Sequence, residues 1–294
     1  MTAEHFVRYE TDNRVAVITL DRPAAANAQT PGILADLDEA WRRADLDPEV
    51  RVIVLMTAGK HFSAGHDMSG SDPSADGRRL GPARAGGKLE ADIYYDWETR
   101  GYLEYARRWR DIPKPTIAAV QGKCIAAGLM LCWPCDLIVA ADNAQFSDPV
   151  GLMGIQGVEY HAHAWELGPR KAKEMLFTAG PVTAEEARQA GMVNHVVPLD
   201  ELRPFTMALA HRIGQGDPWA LRMAKRAVNQ TLDTMGFSAS IASCFDMHHL
   251  GHARALAATG GRTVVLADLA RMKEAGRSSL PARAGQPIRT GTCE

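Results

Sequence analysis

The sequence predicts an α/β fold, and three observations predict it. Apolar runs of strand length closed by turn residues recur in the first half, helical periodicity lies between them, and the second half is patterned almost wholly as helix. Val15-Ala16-Val17-Ile18-Thr19-Leu20 ends at Asp21-Arg22-Pro23, and Arg51-Val52-Ile53-Val54-Leu55-Met56 ends at Thr57-Ala58-Gly59-Lys60. Both runs read as buried strands. Between them, Ile33, Leu34, Leu37 and Trp41 fall at helical spacing, with Thr30 in the capping position and Pro31 at the first turn. Thr116 to Val120 and Asp136 to Ala141 supply two more short strands, and Ile125 to Leu131 is the expected helix between them.

Residues Ser69 to Gly87 are rich in Gly, Pro, Ser and Arg, which predicts a mobile loop over 69–87 in a position suited to a lid. Leu89 to Arg110 reads as helix again and crowds Tyr94, Tyr95, Trp97, Tyr102, Tyr105 and Trp109 together. Aromatics at that density indicate core or a subunit interface before a substrate wall. Helices are expected at Ala164–Thr178, Ala184–Ala190, Leu202–Ile213, Trp219–Thr234 and Phe237–Thr259, with one short strand at Val193–Val197. These elements divide the chain into a core over 1–200, a helical oligomerisation region over 201–277, and a flexible tail over 278–294 that has little to bury.

Composition excludes several classes. In 294 residues, Lys plus Arg number 33 against 35 Asp plus Glu, so the basic excess of a nucleic-acid binder is missing. No apolar run reaches the roughly 18 residues of a membrane span, and Met1 to Phe6 does not resemble a signal peptide, which predicts a cytoplasmic protein. Five cysteines, three of them (Cys124, Cys132, Cys135) in one apolar segment, indicate reduced core thiols in place of a disulfide framework. Cys132-Trp133-Pro134-Cys135 has no second pair to complete a zinc site. His248, His249 and His252 look ligand-like but have no Cys or carboxylate pattern beside them, so a solvated or hydrogen-bonded helix face is expected and no metal.

Two stretches carry the chemistry: His61-Phe62-Ser63-Ala64-Gly65-His66-Asp67-Met68 and Val120-Gln121-Gly122-Lys123-Cys124-Ile125-Ala126-Ala127-Gly128-Leu129-Met130. Each follows a strand and offers small residues where a backbone N–H can turn toward a ligand, the equipment needed to hold a developing oxyanion. Neither G-x-G-x-x-G nor G-x-x-x-x-G-K-[ST] occurs, so a nucleotide-binding α/β protein is a poor alternative.

On these residues the chain resembles the crotonase (enoyl-CoA hydratase/isomerase) superfamily. Asp21-Arg22-Pro23 with Asn27-Ala28, Phe62 to Met68, Lys114 to Gly122, Cys135 to Ala140, and Thr183 to Ala187 with Gly191 to Asn194 match its segments in order, from about residue 8 to about residue 275. The resemblance implies a spiral of repeated β-β-α turns closed by C-terminal helices that build a homotrimer or homohexamer. It implies an acyl-CoA substrate, with coenzyme A present as part of that substrate and no tightly bound cofactor. By position, His66 and Ala127 would give the two oxyanion N–H groups, and Ala25, Ala26, Ala64 and Gly65 would lie along the CoA moiety.

One departure bears on the reaction. Where the family's hydratases carry two glutamates, this chain has Met130 and Val150, and neither side chain exchanges a proton. Asp148, two residues before Val150, is the nearest substitute, and Glu159 and His161 in Gly157-Val158-Glu159-Tyr160-His161-Ala162-His163 are further acid/base candidates. Against them stand structural roles: a first-turn helix carboxylate for Glu159, a surface or interface position for His161 and His163, and a turn or cap for Asp67. The expected function is a crotonase-type enzyme with an oxyanion hole and a relocated acid/base group. A catalytically weak acyl-CoA-binding paralogue and a C–C hydrolase or isomerase stay open, and the apolar Met130 and Val150 suggest a bulky or hydrophobic acyl group.

Overall fold

The computed structural model describes residues 6–68 and 90–265. The loop expected over 69–87 and the tail expected over 278–294 lie outside the described residues. A six-stranded sheet runs in the order β1 (Val7–Asp12), β2 (Val15–Leu20), β3 (Val52–Thr57), β4 (Thr116–Val120), β6 (Leu137–Ala141), β9 (His195–Val197). Within this sheet only the β1–β2 pair is antiparallel. A second sheet, β5 (Lys123–Ile125), β7 (Gln145–Ser147) and β8 (Val182–Thr183), was not expected, because strands of two or three residues are too short for alternation to register.

Every residue of β2, β3 and β4 is buried, as parallel strands covered on both faces must be. Ala16, Ile18 and Leu20 point into the main core with Ile33, Leu37 and Trp41 of α1 (Pro31–Leu46). Val15 and Val17 point to the opposite face, which Leu202 and Ala210 of α7 (Leu202–Gly214) cover. Each valine, leucine or isoleucine among them contributes about 1.5–3 kcal/mol on burial. The Thr30 side chain accepts from the Ile33 amide and Pro31 opens α1, as the sequence predicts.

Three expectations are corrected. The helix expected over Ile125–Leu131 starts late: Ile125 ends β5, Ala126 adopts φ 49°, and only a 3-10 turn (Ala126–Gly128) and a short α4 (Leu129–Cys132) follow. α5 (His163–Thr178) is kinked at Gly168 (φ 71°, ψ 162°), because Pro169 has no N–H to continue the ladder. The helical stretch near Leu89–Arg110 is interrupted: α2 (Ala91–Glu98) passes through a π turn (Thr99–Leu103) into α3 (Glu104–Asp111). Such a turn rotates the residues around it and often marks a functional site.

The capping box of α6 (Ala184–Ala190) joins Thr183 and Glu186. α8 (Pro218–Thr234) buries none of its residues, and α9 (Phe237–Thr259) packs against α2 and α8. No helix among the described residues is long and apolar enough to cross a membrane.

Candidate active site

Strand register brings the two turns together. Ser63 pairs in parallel with Cys124, its N–H donating to the Lys123 carbonyl and its carbonyl accepting from Ile125. Beyond this bridge Gly65, the residue before His66, comes up against the second turn at Ile125–Ala127. On its other edge the first turn is held by Gln29, whose N–H donates to the Gly65 carbonyl and whose carbonyl accepts from Asp67. Successive peptide groups alternate in direction along an extended strand, so the His66 N–H points away from Gln29 and toward the second turn. It makes no hydrogen bond to another described backbone group.

Three features keep the two amides close. Gly65, at φ 88°, sits in the gap: a Cβ there would lie 3.0 Å from the Ile125 carbonyl oxygen and 3.3 Å from the Ala127 nitrogen. Ala126, at φ 49°, turns the chain so that the Ala127 amide faces the gap, a left-handed conformation costing about 1–3 kcal/mol in a non-glycine residue. The Gln29 amide donates at 3.0 Å both to Ser63 Oγ and to the Ala127 carbonyl, pinning one turn to the other. The 3-10 turn and α4 are too short for a large dipole, so the Ala127 amide itself is the available donor.

Ala26 and Ala64 are adjacent, the Ala64 N–H donating to the Ala26 carbonyl, and with Ala25 they form one ledge beside the gap. Beneath it Asn27 bonds Ala58 and His61 through its amide, and Arg22 closes on Asp67. Asp67 is thus an ion-pair partner in the turn.

The His66 side chain stacks on Tyr102, ring centroids 3.8 Å apart, and its Nε2 lies 3.1 Å from Glu159 Oε1. Its Nδ1 is buried and meets no hydrogen-bond partner among the described residues. Glu159 is not the first-turn helix carboxylate expected, since α5 begins only at His163; it is a buried loop carboxylate. Burial works to raise its pKa, but the His66 and His248 imidazoles outweigh this and hold the carboxyl below its ordinary range.

Asp148 is placed differently. It is fully buried, accepts from the Val150 and Val158 amides, and lies 2.9 Å from His163 Nε2. Burial opposes ionisation, yet the His163 contact and the two amides keep its pKa below the ordinary value, so Asp148 is a structural cap with no free oxygen to offer a substrate. His163, expected at a surface or interface, is buried with it. His161 is half-buried, and burial with the nearby His163 lowers its pKa to about 4, which makes it a neutral ring near pH 7. Met130 is buried in α4 and Val150 half-buried in the turn after Asp148.

Behind Glu159 lies a group that the sequence did not bring together. His248, His249 and His252 are buried, not solvated, and their carboxylate partner is Glu98, at the end of α2. Glu98 Oε2 lies 3.3, 3.1 and 3.6 Å from their respective Nε2 atoms, and Glu159 Oε1 lies 3.9 Å from His248 Nε2. Glu98, Tyr102 and Gln29 are the residues that sequence reasoning missed. Aromatic crowding flagged Tyr102 without its role, and nothing local marks the other two.

Known proteins agree with this architecture. The family model described as enoyl-CoA hydratase/isomerase matches residues 10–255. A Mycobacterium tuberculosis protein provisionally named enoyl-CoA hydratase EchA13 is 46% identical over 269 residues, 87% of this chain and 84% of its own length. The (E)-benzylidenesuccinyl-CoA hydratase of Thauera aromatica is 33% identical over 226 residues, 75% of this chain and 81% of its own. The crystal structure of a probable enoyl-CoA hydratase from Mycobacterium thermoresistibile superposes with a TM-score of 0.80 at 56% identity, covering 87% of this chain and all of that one.

Proposed function

The chain belongs to the enoyl-CoA hydratase/isomerase family, and on that premise we propose that it moves a proton at the carbon beside the carbonyl of an acyl-CoA thioester. His66 is the base, Glu159 its positioning partner, and the amides of His66 and Ala127 are the oxyanion donors. The observation that carries this reading is the pairing of the His66 imidazole with Glu159, on the residue that directly follows Gly65 in the gap. A carboxylate at Nε2 favours the tautomer with its proton there, which leaves the lone pair on the buried, unpartnered Nδ1.

In a 3-enoyl thioester Nδ1 takes a proton from C2, and the C–H electron pair moves onto the carbonyl oxygen as an enolate held by the two amides. The enolate collapses as the proton returns to C4, giving the 2-enoyl thioester with the base restored. Ala25, Ala26 and Ala64 line the CoA moiety, and Met130 and Val150 face an apolar acyl group. No tightly bound cofactor takes part. Two-glutamate hydration is not supported, because Met130 and Val150 stand where that chemistry needs carboxylates.

The test is a paired assay across acyl lengths: isomerisation of 3-enoyl-CoA against hydration of trans-2-enoyl-CoA, with binding followed by calorimetry. Isomerisation well above hydration, best with longer acyl groups, is expected. Hydration as the faster reaction would overturn the single-base mechanism. Binding without either reaction would favour the second reading, an acyl-CoA binder, to which the apolar Met130 and Val150 lend support.

We also propose a homotrimer or homohexamer, supported by the exposed Trp219, Val228 and Met235 in and just after α8 and the exposed Met247 and Leu250 on α9. Light scattering should give a mass of three or six chains, and a monomer would contradict it.

A further inference from the structure

We propose that Glu98, His248 and His252 bind a divalent transition-metal ion of the zinc class. Three independent features of the cluster support a ligand set.

The first is spacing. His248 Nε2, His252 Nε2 and Glu98 Oε2 are separated by 2.8, 3.3 and 3.6 Å. A triangle of those sides has its corners about 1.9 Å from its centre, so an ion slightly out of the plane sits about 2.0–2.1 Å from all three, the bond length of zinc to imidazole and carboxylate. Glu159 Oε1, 3.9 Å from His248 Nε2, stands between this set and His66.

The second is the orientation of the rings. His248 Nδ1 lies 2.7 Å from the Gly157 carbonyl oxygen and His252 Nδ1 lies 2.6 Å from that of Thr263. A carbonyl accepts only, so each Nδ1 carries a proton and donates it. The Nε2 of each ring is then the position left for a further proton or a metal, and the two Nε2 atoms approach to 2.8 Å. Two lone pairs at that distance repel unless a cation lies between them, either an extra proton or a metal. Backbone carbonyls that fix the far nitrogen of each imidazole are the usual outer support of metal-bound histidines.

The third is an unmet need. Among the described residues Glu98 Oε2 is buried without an aligned hydrogen-bond partner, although three imidazole nitrogens lie within 3.6 Å of it. His249 Nε2, at 3.1 Å, is likewise without one. These imidazole–Glu98 contacts are close without being well aligned as hydrogen bonds, which is compatible with atoms converging on a central ion. Tyr94 sets its ring edge-on to His252 at 4.8 Å. The site joins α9 to the end of α2 and stands one carboxylate behind His66.

The experiment uses the full chain, dialysed against chelator, loaded with zinc chloride, desalted and measured for bound metal and melting temperature. A parallel cobalt(II) loading reads the site by its visible d–d absorption. About one equivalent per chain is expected, as for a site with three protein ligands, with a raised melting temperature and tetrahedral-type cobalt bands. Glu98→Gln and His252→Ala should each lose the retained metal, and His195→Ala, on the exposed edge strand β9, should keep it. A folded wild-type chain that retains less than about a tenth of an equivalent, with no change in melting temperature, would overturn the site and leave the extra proton in its place. Equal retention by wild type, Glu98→Gln and His252→Ala would overturn it as well, since the metal would then be held elsewhere.

Discussion

Replacing His66 by alanine is expected to lower turnover by about a hundredfold to ten-thousandfold, the range for removing a positioned general base, while the Kd for acyl-CoA changes little. The distinction is available because His66 has two roles in two parts of the residue. Its amide faces the gap and survives the substitution; its imidazole, stacked on Tyr102 and joined to Glu159, does not. Glu159→Gln should lower kcat by at least about tenfold with KM nearly unchanged, because the amide can still touch Nε2 but brings no charge to balance the imidazolium that forms. If both variants turn over at the wild-type rate and fold normally, the base lies elsewhere and His66 acts through its backbone alone. A matched rise in KM with kcat intact would place the pair in substrate binding.

Gly65→Ala is the second large effect. The new Cβ would lie 3.0 Å from the Ile125 carbonyl oxygen and 3.3 Å from the Ala127 amide, on backbone at φ 88°. Alanine there costs about 1–3 kcal/mol in strain, and relief comes by parting the two turns. Moving one oxyanion donor by about an ångström is enough to lose about a hundredfold in rate. The variant should fold, melt earlier, and turn over about a hundredfold more slowly, read by kcat and by thermal denaturation. A folded Gly65→Ala enzyme with unaltered kcat would show that the gap between these turns does not hold the reacting oxygen.

How much of this was legible from residues alone depends on distance along the chain. The core strands Val15–Leu20 and Thr116–Val120 and the helix Phe237–Thr259 stand where apolar periodicity put them, because each is long enough for its pattern to register. The three-residue strands β5 and β7 and the two-residue β8 escaped notice for the opposite reason. The turns around His66 and Ala127 were visible as local motifs, and a parallel bridge between Ser63 and Cys124 brings them side by side. Glu98 was not visible. It lies 150 residues before His248 and reaches the histidines because the helix carrying it packs against α9. For Asp148 the sequence shows its proximity to Val150 but not its partners Val158 and His163, which come from the loop and helix that follow. Gln29 gives no local signal at all, since its work is to tie together two turns that are remote from it in sequence.

The central claim is that an acyl-CoA thioester loses a proton beside its carbonyl while its oxygen rests between the His66 and Ala127 amides. The most direct measurement is exchange of the C2 hydrogens of a saturated acyl-CoA in deuterium oxide, followed by mass spectrometry, because it requires only the base and the oxyanion donors and no completed reaction. Enzyme-dependent incorporation of deuterium at C2, abolished in His66→Ala and in Gly65→Ala, is the predicted result. Saturable binding of the same thioester with no exchange above the uncatalysed rate would contradict the account.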